Sequence, residues 1–322
     1  MPSLRRVAAL PVNTSHAMIP PMPFQESLAA LHRDRRNAAI SDIASTFVLL
    51  IGVVYVLVSY PSPSMFVFAF VVIGLMQYRI VIACHEAVHK TLLFPLWLNE
   101  AVGGVLCAMV GINLLRYRRQ HLAHHSAQDI EHDTDAYIYE PILRARPGLE
   151  RLAVWIFGTA GEIIGKLHQK GFTVSTTIEA EGTARMYSFA IVAAQAILLT
   201  SCLLWFSWWY YIAFWLGPLL TIAIFMNRTR VLVEHGYEHV PRTGDSELGA
   251  SPVKAIDLSA NVLERFFIAP FGMNYHFAHH RVPSVPSYRN GDLQQLLNQQ
   301  FGDGTPLSPP SYLQALRYVL WN

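Results

Sequence analysis

Charge is what this chain has least of. Asp, Glu, Lys and Arg make up 14% of its 322 residues, against about 25% in a typical soluble domain. With 52% hydrophobic residues and a mean hydropathy of +0.30, polar side chains are too few to cover a soluble surface. That excludes an ordinary cytosolic enzyme and points to an integral membrane protein. A long basic stripe is missing too: basic residues come in short groups at 31–36 and 116–119, and the formal net charge is +2. Nucleic acid is therefore not an expected partner. There are three cysteines, Cys84, Cys107 and Cys202, odd in number and set in apolar segments. They exclude a disulfide framework and read as buried thiols. Arg5 and Arg6 near the start are followed by no apolar run of signal-peptide length before Pro20, Pro21 and Pro23, so export is not expected.

Long apolar runs are present in their place. Residues 41–60 are long enough to span a bilayer as a helix; "PSPS" breaks the chain, and 65–84 can span back. Residues 186–206 and 208–226 form a second pair. Their junction at Ser207 and Trp208 is short, and the turn is expected within the aromatic run 205–211, whose side chains suit a membrane interface. Four spanning helices in two hairpins result. Arg33, Arg35 and Arg36 precede the first, Lys90, Arg116, Arg118 and Arg119 follow the second, and Arg228 and Arg230 follow the fourth. The connectors near 61–64 and 207 carry no basic residue, so both ends and the central segment are expected in the cytoplasm. A fifth apolar stretch, 92–115, is weakened as a span by Asn99, Glu100 and Asn113. It reads as interfacial or re-entrant. The expected division is a cytoplasmic segment 1–40, a membrane domain 41–290 and a cytoplasmic segment 291–322, with the polar stretches building a cap.

Histidines are the other surplus. There are fourteen, and most are grouped. "HEAVH" sets His85 and His89 at i and i+4, on one side of a helix. "HLAHH" holds His121, His124 and His125, and "HFAHH" holds His276, His279 and His280. At about 100° per residue, each trio spans an arc of roughly 100°, so its three imidazoles share one face. Imidazole is a ligand for zinc, copper, iron and nickel, and eight of them exceed what one tetrahedral zinc uses. Two metals are implied. "LVEHGYEH" offers a ninth ligand, His235 or His239, with His235 preferred because it lies nearer the membrane and beside Glu234. Asp129, Asp133 and Asp135 are candidates to accept the second imidazole N–H of a ligand, or simply form a solvated acidic loop. His132 reads as outside the ligand set; His16, His32 and His168 read as incidental.

Those boxes, with "RRQHLAHH" before an acidic "DTD" and "NYHFAHHRVPSVPSY" with its prolines, resemble the membrane-bound fatty acid desaturase superfamily over residues 40 to 290. The resemblance implies an all-α membrane fold of four spans under a cytoplasmic cap, holding a histidine-ligated di-iron centre. The implied ligands are His85, His89, His121, His124, His125, His276, His279 and His280, with the extra histidine of the superfamily at His235. The acidic motif, Asp-Pro-Asp in relatives, reads Asp133-Thr134-Asp135 here. Two irons are the implied cofactor, and O2, an apolar acyl or lipid-like substrate and membrane lipid the implied partners. Iron suits the chemistry, since breaking an unactivated C–H bond needs a redox-active metal and zinc is redox-inert. No haem-binding or cysteine-rich module is visible, so electrons are expected from a ferredoxin, or from a cytochrome with its reductase, with the arginines of 116–119 as a docking site or simply a topological anchor. The membrane expected is a bacterial inner membrane. Fatty acyl desaturation is the first reading, on an acyl lipid or acyl thioester. Hydroxylation or ketolation of a carotenoid or similar apolar natural product is the alternative. A zinc protease using Glu86 as base would leave both trios idle, and a metal transporter would not explain trios outside the spans.

Overall fold

The computed structural model describes residues 23–34, 36–168, 178–240, 255–301 and 309–322, and among these there is no β-strand. A short α1 (Phe24–Arg33) leads into the first hairpin, α2 (Ala39–Ser59) and α3 (Pro63–Val88). Ser62 caps α3, its hydroxyl accepting the Met65 N–H at 3.2 Å, and Pro63 takes the first position, where no N–H is needed. Apolar side chains along α2 stay outside, Val48, Ile51 and Tyr55 each about two-thirds exposed, as lipid-facing positions should. The second half of α3 is the opposite: nearly every side chain from Ile73 to Val88 is buried.

Next come α4 (Leu96–Met109) and α5 (Leu114–Ser126), which meet at a 97° bend. Gly111 makes the bend, with φ +73°, where a side chain would be strained; the N–H groups of Gly111 and Ile112 return to carbonyls of the last turn of α4. Glu100, which would be costly in lipid, meets Arg118 across the bend at 2.7 Å. Arg118 also donates to the carbonyls of Ala87 and Val88. The two halves are thus clasped back onto the end of α3. Close approach needs a small residue: a Cβ on Gly103 would stand 2.4 Å from that of Ala87.

The chain continues through α6 (Ala136–Arg144), α7 (Leu149–Phe157) and α8 (Thr159–His168) to α9 (Ile178–Trp205). Phe206 and Ser207 make the turn, Ser207 being extended, within the aromatic run expected to hold it. The fourth span is one helix from Trp208 to His239. It opens with α10 (Trp208–Tyr211), widens through π-helical turns at Ile212–Leu216 and Leu219–Ala223 on either side of Pro218, and closes with α11 (Ile224–His239). One carbonyl in the widened part, that of Trp215, accepts from the buried Gln77 amide of α3 at 2.8 Å.

Four candidate spans are therefore present, and three of their ends differ from the expected ones. The second runs to Val88 instead of 84, the third starts at Glu181 instead of 186, and the fourth runs to His239 instead of 226. Arg228 and Arg230 do not follow the fourth helix but lie inside it, buried. Each has an acid to face: Arg228 meets Glu162 of α8 at 3.1 Å, and Arg230 pairs with Glu234 one turn on. Hydropathy falls where charges begin, but paired and buried charges let a helix continue.

The remaining elements are α12 (Val262–Phe267), α13 (His276–Arg281), α14 (Asn290–Phe301) and α15 (Tyr312–Trp321). The last is opened by a Ser311–Gln314 capping box and packs on α11. An apolar core of α3, α4 and α11 residues, with Tyr312 and Ala315 of α15, sits beneath the histidines.

Candidate metal centre

Four elements converge at one end of the spans, and each brings histidine. The last turn of α3 carries His85, and His89 follows as its C-cap; α5 carries His121, His124 and His125; α11 carries His235; α13 carries His276, His279 and His280. One donor atom from each of His85, His89, His121, His125 and His279 lies within 4.8 Å of all the others, and the same holds for His124, His235 and His280. His276 joins the second group through His235, their Nε2 atoms 2.9 Å apart. The rings of His125 and His280 stack at 4.0 Å and bring the two groups side by side.

The donor set fits two metal ions. Buried Nε2 atoms of His85, His89, His279 and His280 have no protein partner. Nε2 of His121 and His125 face each other at 3.0 Å, as do those of His235 and His276. Two nitrogens at right angles on one ion, with bonds of about 2.1 Å, stand about 3.0 Å apart. Burial is the largest cause holding His125 down to about 2 and His89 to about 3. It also pushes His121, His276, His279 and His280 well below the usual imidazole range, with neighbouring histidines adding to it. These rings are neutral at pH 7 and offer lone pairs.

Carboxylates orient the rings from behind. Asp133 accepts from His124 Nδ1 at 2.5 Å and is itself held by the Tyr139 hydroxyl at 2.5 Å. Burial disfavours a charged His124, but Asp133 and Asp135 outweigh it and raise its proton affinity. Asp135 stands 3.7 Å from His121 Nδ1. Asp129 does something else: it binds His132, whose side chain is 76% exposed, so the acidic loop divides its labour. Glu86 faces His85 Nδ1 at 3.3 Å and accepts from Thr91; it is buried behind the histidine and does not front an open site. His32 lies apart, bonded to Ser284. His239 stacks on Tyr139, outside both groups. His16 falls outside the described residues, as does the side chain of His168.

Two supports had no sequence signal. Asp257, 1% exposed, accepts the N–H groups of Phe277 (2.8 Å) and Ala278 (3.3 Å) in the first turn of α13, and Gln294 Nε2 at 2.9 Å. Tyr312 of α15 donates to Glu234 at 3.1 Å, and Glu234 in turn stands 3.5 Å from His276 Nε2. Both contacts join residues far apart in the chain, which no local pattern announces. Glu86 and Glu234, by contrast, lie inside the motifs and were visible as acids next to histidine. A cavity of about 310 Å³ opens beside His121, His124, His235 and His276.

Comparison with known proteins agrees with this geometry. The model of the fatty acid desaturase family matches residues 61–310, most of the chain and all three boxes. The chain belongs to the fatty acid desaturase family. Among curated proteins, the chloroplastic omega-6 fatty acid desaturase of Spinacia oleracea is 22% identical over 232 residues, covering 68% of this chain. The chain spans about half the length of that relative, 50% of it being covered. This desaturase-family chain thus combines four candidate membrane spans with buried histidine clusters that could hold metal.

Proposed function

We propose that the chain is an O2-dependent, non-haem di-iron desaturase acting on a fatty acyl chain, as acyl lipid or acyl thioester. In this reading His85, His89, His121, His125 and His279 hold one iron, and His124, His235, His276 and His280 hold the other. The observation that carries it is the pair of largely buried imidazole groups standing side by side at the end of four apolar helices. When bound, the iron pair supplies O2 activation strong enough to break unactivated C–H bonds, which a redox-inert ion does not. The balance is CH2–CH2 plus O2, two electrons and two protons, giving CH=CH and two waters.

The protein's own groups set the conditions for that reaction. Asp133, Asp135 and Glu86 stand behind His124, His121 and His85, leaving the Nε2 side free for metal. Burial keeps water from the centre, while the adjoining cavity admits a substrate carbon. The cap and histidines face the cytoplasm, in a bacterial inner membrane, with Arg36, Lys90, Arg116 and Arg119 on that side. Electrons come from a ferredoxin, or from a cytochrome with its reductase. Arg118 is spent on the clasp with Glu100, so any docking role among residues 116–119 falls to Arg116 and Arg119.

The deciding experiment is mass spectrometry of acyl chains from cells with and without the expressed protein, alongside metal analysis of the purified chain. The expected result is an acyl product lighter by two hydrogens and two irons per chain. Gain of one oxygen, or exchange of two hydrogens for oxygen, would move the reading to hydroxylation or ketolation. One zinc with proteolysis would end it.

A further inference from the structure

The helices α7 and α8 carry their polarity inside out. Their polar side chains turn toward the protein. Arg151, 3% exposed, donates to the carbonyls of Leu143 at 3.2 Å, Ala145 at 3.0 Å and Val319 at 2.6 Å. Trp155 donates its indole N–H to the Thr229 hydroxyl at 3.0 Å, and Glu162 is buried against Arg228. The outer side is apolar instead. Leu149 is 80% exposed and Phe157 78%, and Ala153 and Ile156 are exposed with them. At about 100° per residue, these four positions of α7 share an arc of roughly 100°. Helical hydrogen bonds run on through Gly158, and α8 adds exposed Ala160 and Ile164. Between 151 and 164 the only charged residues are Arg151 and Glu162, both buried. A helix on a water-facing cap has the reverse arrangement, apolar inside and charged outside. An exposed apolar stripe of this kind marks a surface that something covers.

The place of the stripe on the molecule says what covers it. Trp155 packs on Phe225 with ring centroids 5.0 Å apart. Gly158 comes so near Arg228 that a Cβ there would stand 3.1 Å from the guanidinium. These helices therefore lie against residues 225–229 of the fourth span, where its apolar run gives way to charge. Just before that point the span still shows exposed Leu220 to its surroundings, so the apolar stripe continues a lipid-facing surface. The start of α7 is wet: Arg146, its side chain 90% exposed, pairs with Glu150. We infer that α7–α8 is embedded in the lipid leaflet at the histidine end of the spans, with Leu149, Ala153, Ile156, Phe157 and Ala160 against phospholipid acyl chains. The leaflet closes over the Arg228–Glu162 pair and keeps it dry. It also holds the cap against α11, the helix that carries His235.

The test needs neither iron nor substrate, so its outcome is independent of the catalytic reading. Single cysteines are placed in the full chain lacking Cys84, Cys107 and Cys202, as Ala153→Cys, Phe157→Cys and Ala160→Cys. Each is labelled with a nitroxide and reconstituted in vesicles of phosphatidylcholine and phosphatidylglycerol. Gln128→Cys, exposed in the cap, and Val48→Cys, exposed on the first span, serve as the water and lipid references. Collisions are read with O2, which concentrates among acyl chains, and with a water-soluble nickel chelate. At all three sites nickel collisions should fall from the Gln128→Cys level toward that of Val48→Cys, while O2 collisions rise toward it. The two alanine positions change little in volume, so they keep the test decisive if the Phe157 variant does not fold. Nickel collisions as frequent as at Gln128→Cys would place the stripe in water and overturn the inference. Loss of collisions with both reagents would overturn it too, since protein, such as a second copy of the chain, would then be the cover.

Discussion

At the scale of single residues, what matters is which nitrogen of each imidazole faces the centre. Asp133 fixes His124 by taking its Nδ1 at 2.5 Å, and loss of such a partner costs about 10- to 100-fold in metal affinity or activity. Asp133→Ala should therefore purify with about one iron instead of two, while Asp129→Ala, which loses a contact only to exposed His132, should keep both; elemental analysis distinguishes them. Replacing any one of the nine clustered histidines with Ala should abolish turnover yet leave the chain in the membrane fraction, since the apolar helices insert on their own hydrophobicity. His132→Ala is the matching control. If several cluster variants keep full turnover, the ligand assignment fails. The boxes were legible in the sequence because three imidazoles within five residues share a helix face whatever the tertiary fold. That His276 pairs with His235, and that His235 and not His239 closes the second group, depended on how α11 and α13 cross.

Elements hold those residues through contacts that span long stretches of chain. The first turn of α13 hangs on Asp257, nineteen positions before His276, through two N–H groups. Asp257→Ala should loosen that turn and lower iron content and turnover together by about tenfold, the worth of an interaction of about 1.4 kcal/mol. Asp257→Asn, which keeps an acceptor oxygen, should recover most of both. The tie between α8 and α11 is different in kind. Arg228 and Glu162 are both about 2% exposed at the side chain, so Glu162→Ala would strand a buried guanidinium at a cost of about 3–5 kcal/mol. A clear fall in the unfolding temperature in detergent is expected, with much of it restored when Arg228→Leu is paired with Glu162→Leu. An undiminished unfolding temperature in the single variant would show that water reaches this pair. Sequence alone ended the fourth helix at 226 because Arg228 and Arg230 read as solvated charges; the partners that bury them come from α8 and from one turn further along α11 itself.

For the whole molecule, the bent pair α4–α5 decides the topology. Were it a fifth crossing, His121 and His125 would be about 30 Å from His85 and His89, yet all four share one cluster. In a background lacking Cys84, Cys107 and Cys202, Gln128→Cys should react with a membrane-impermeant thiol reagent only after permeabilisation, and Ser64→Cys in intact cells. Both positions are exposed, whereas Asn99 is fully buried, its side chain bonded to Leu92 N and the Ala87 carbonyl, and would not report. Labelling of Gln128→Cys in intact cells would overturn the topology.

Membrane class, the four apolar runs and the three histidine boxes were legible in the primary structure, because composition and helical periodicity are local properties that survive in any fold. Tertiary structure alone decided which histidines stand together, where the helices stop, and which charges are buried. Those outcomes depend on partners brought from elsewhere in the chain: Glu162 for Arg228, Glu100 for Arg118, Tyr312 for Glu234 and Asp257 for α13. A charge or a polar group takes its meaning from what faces it, and sequence distance does not record that.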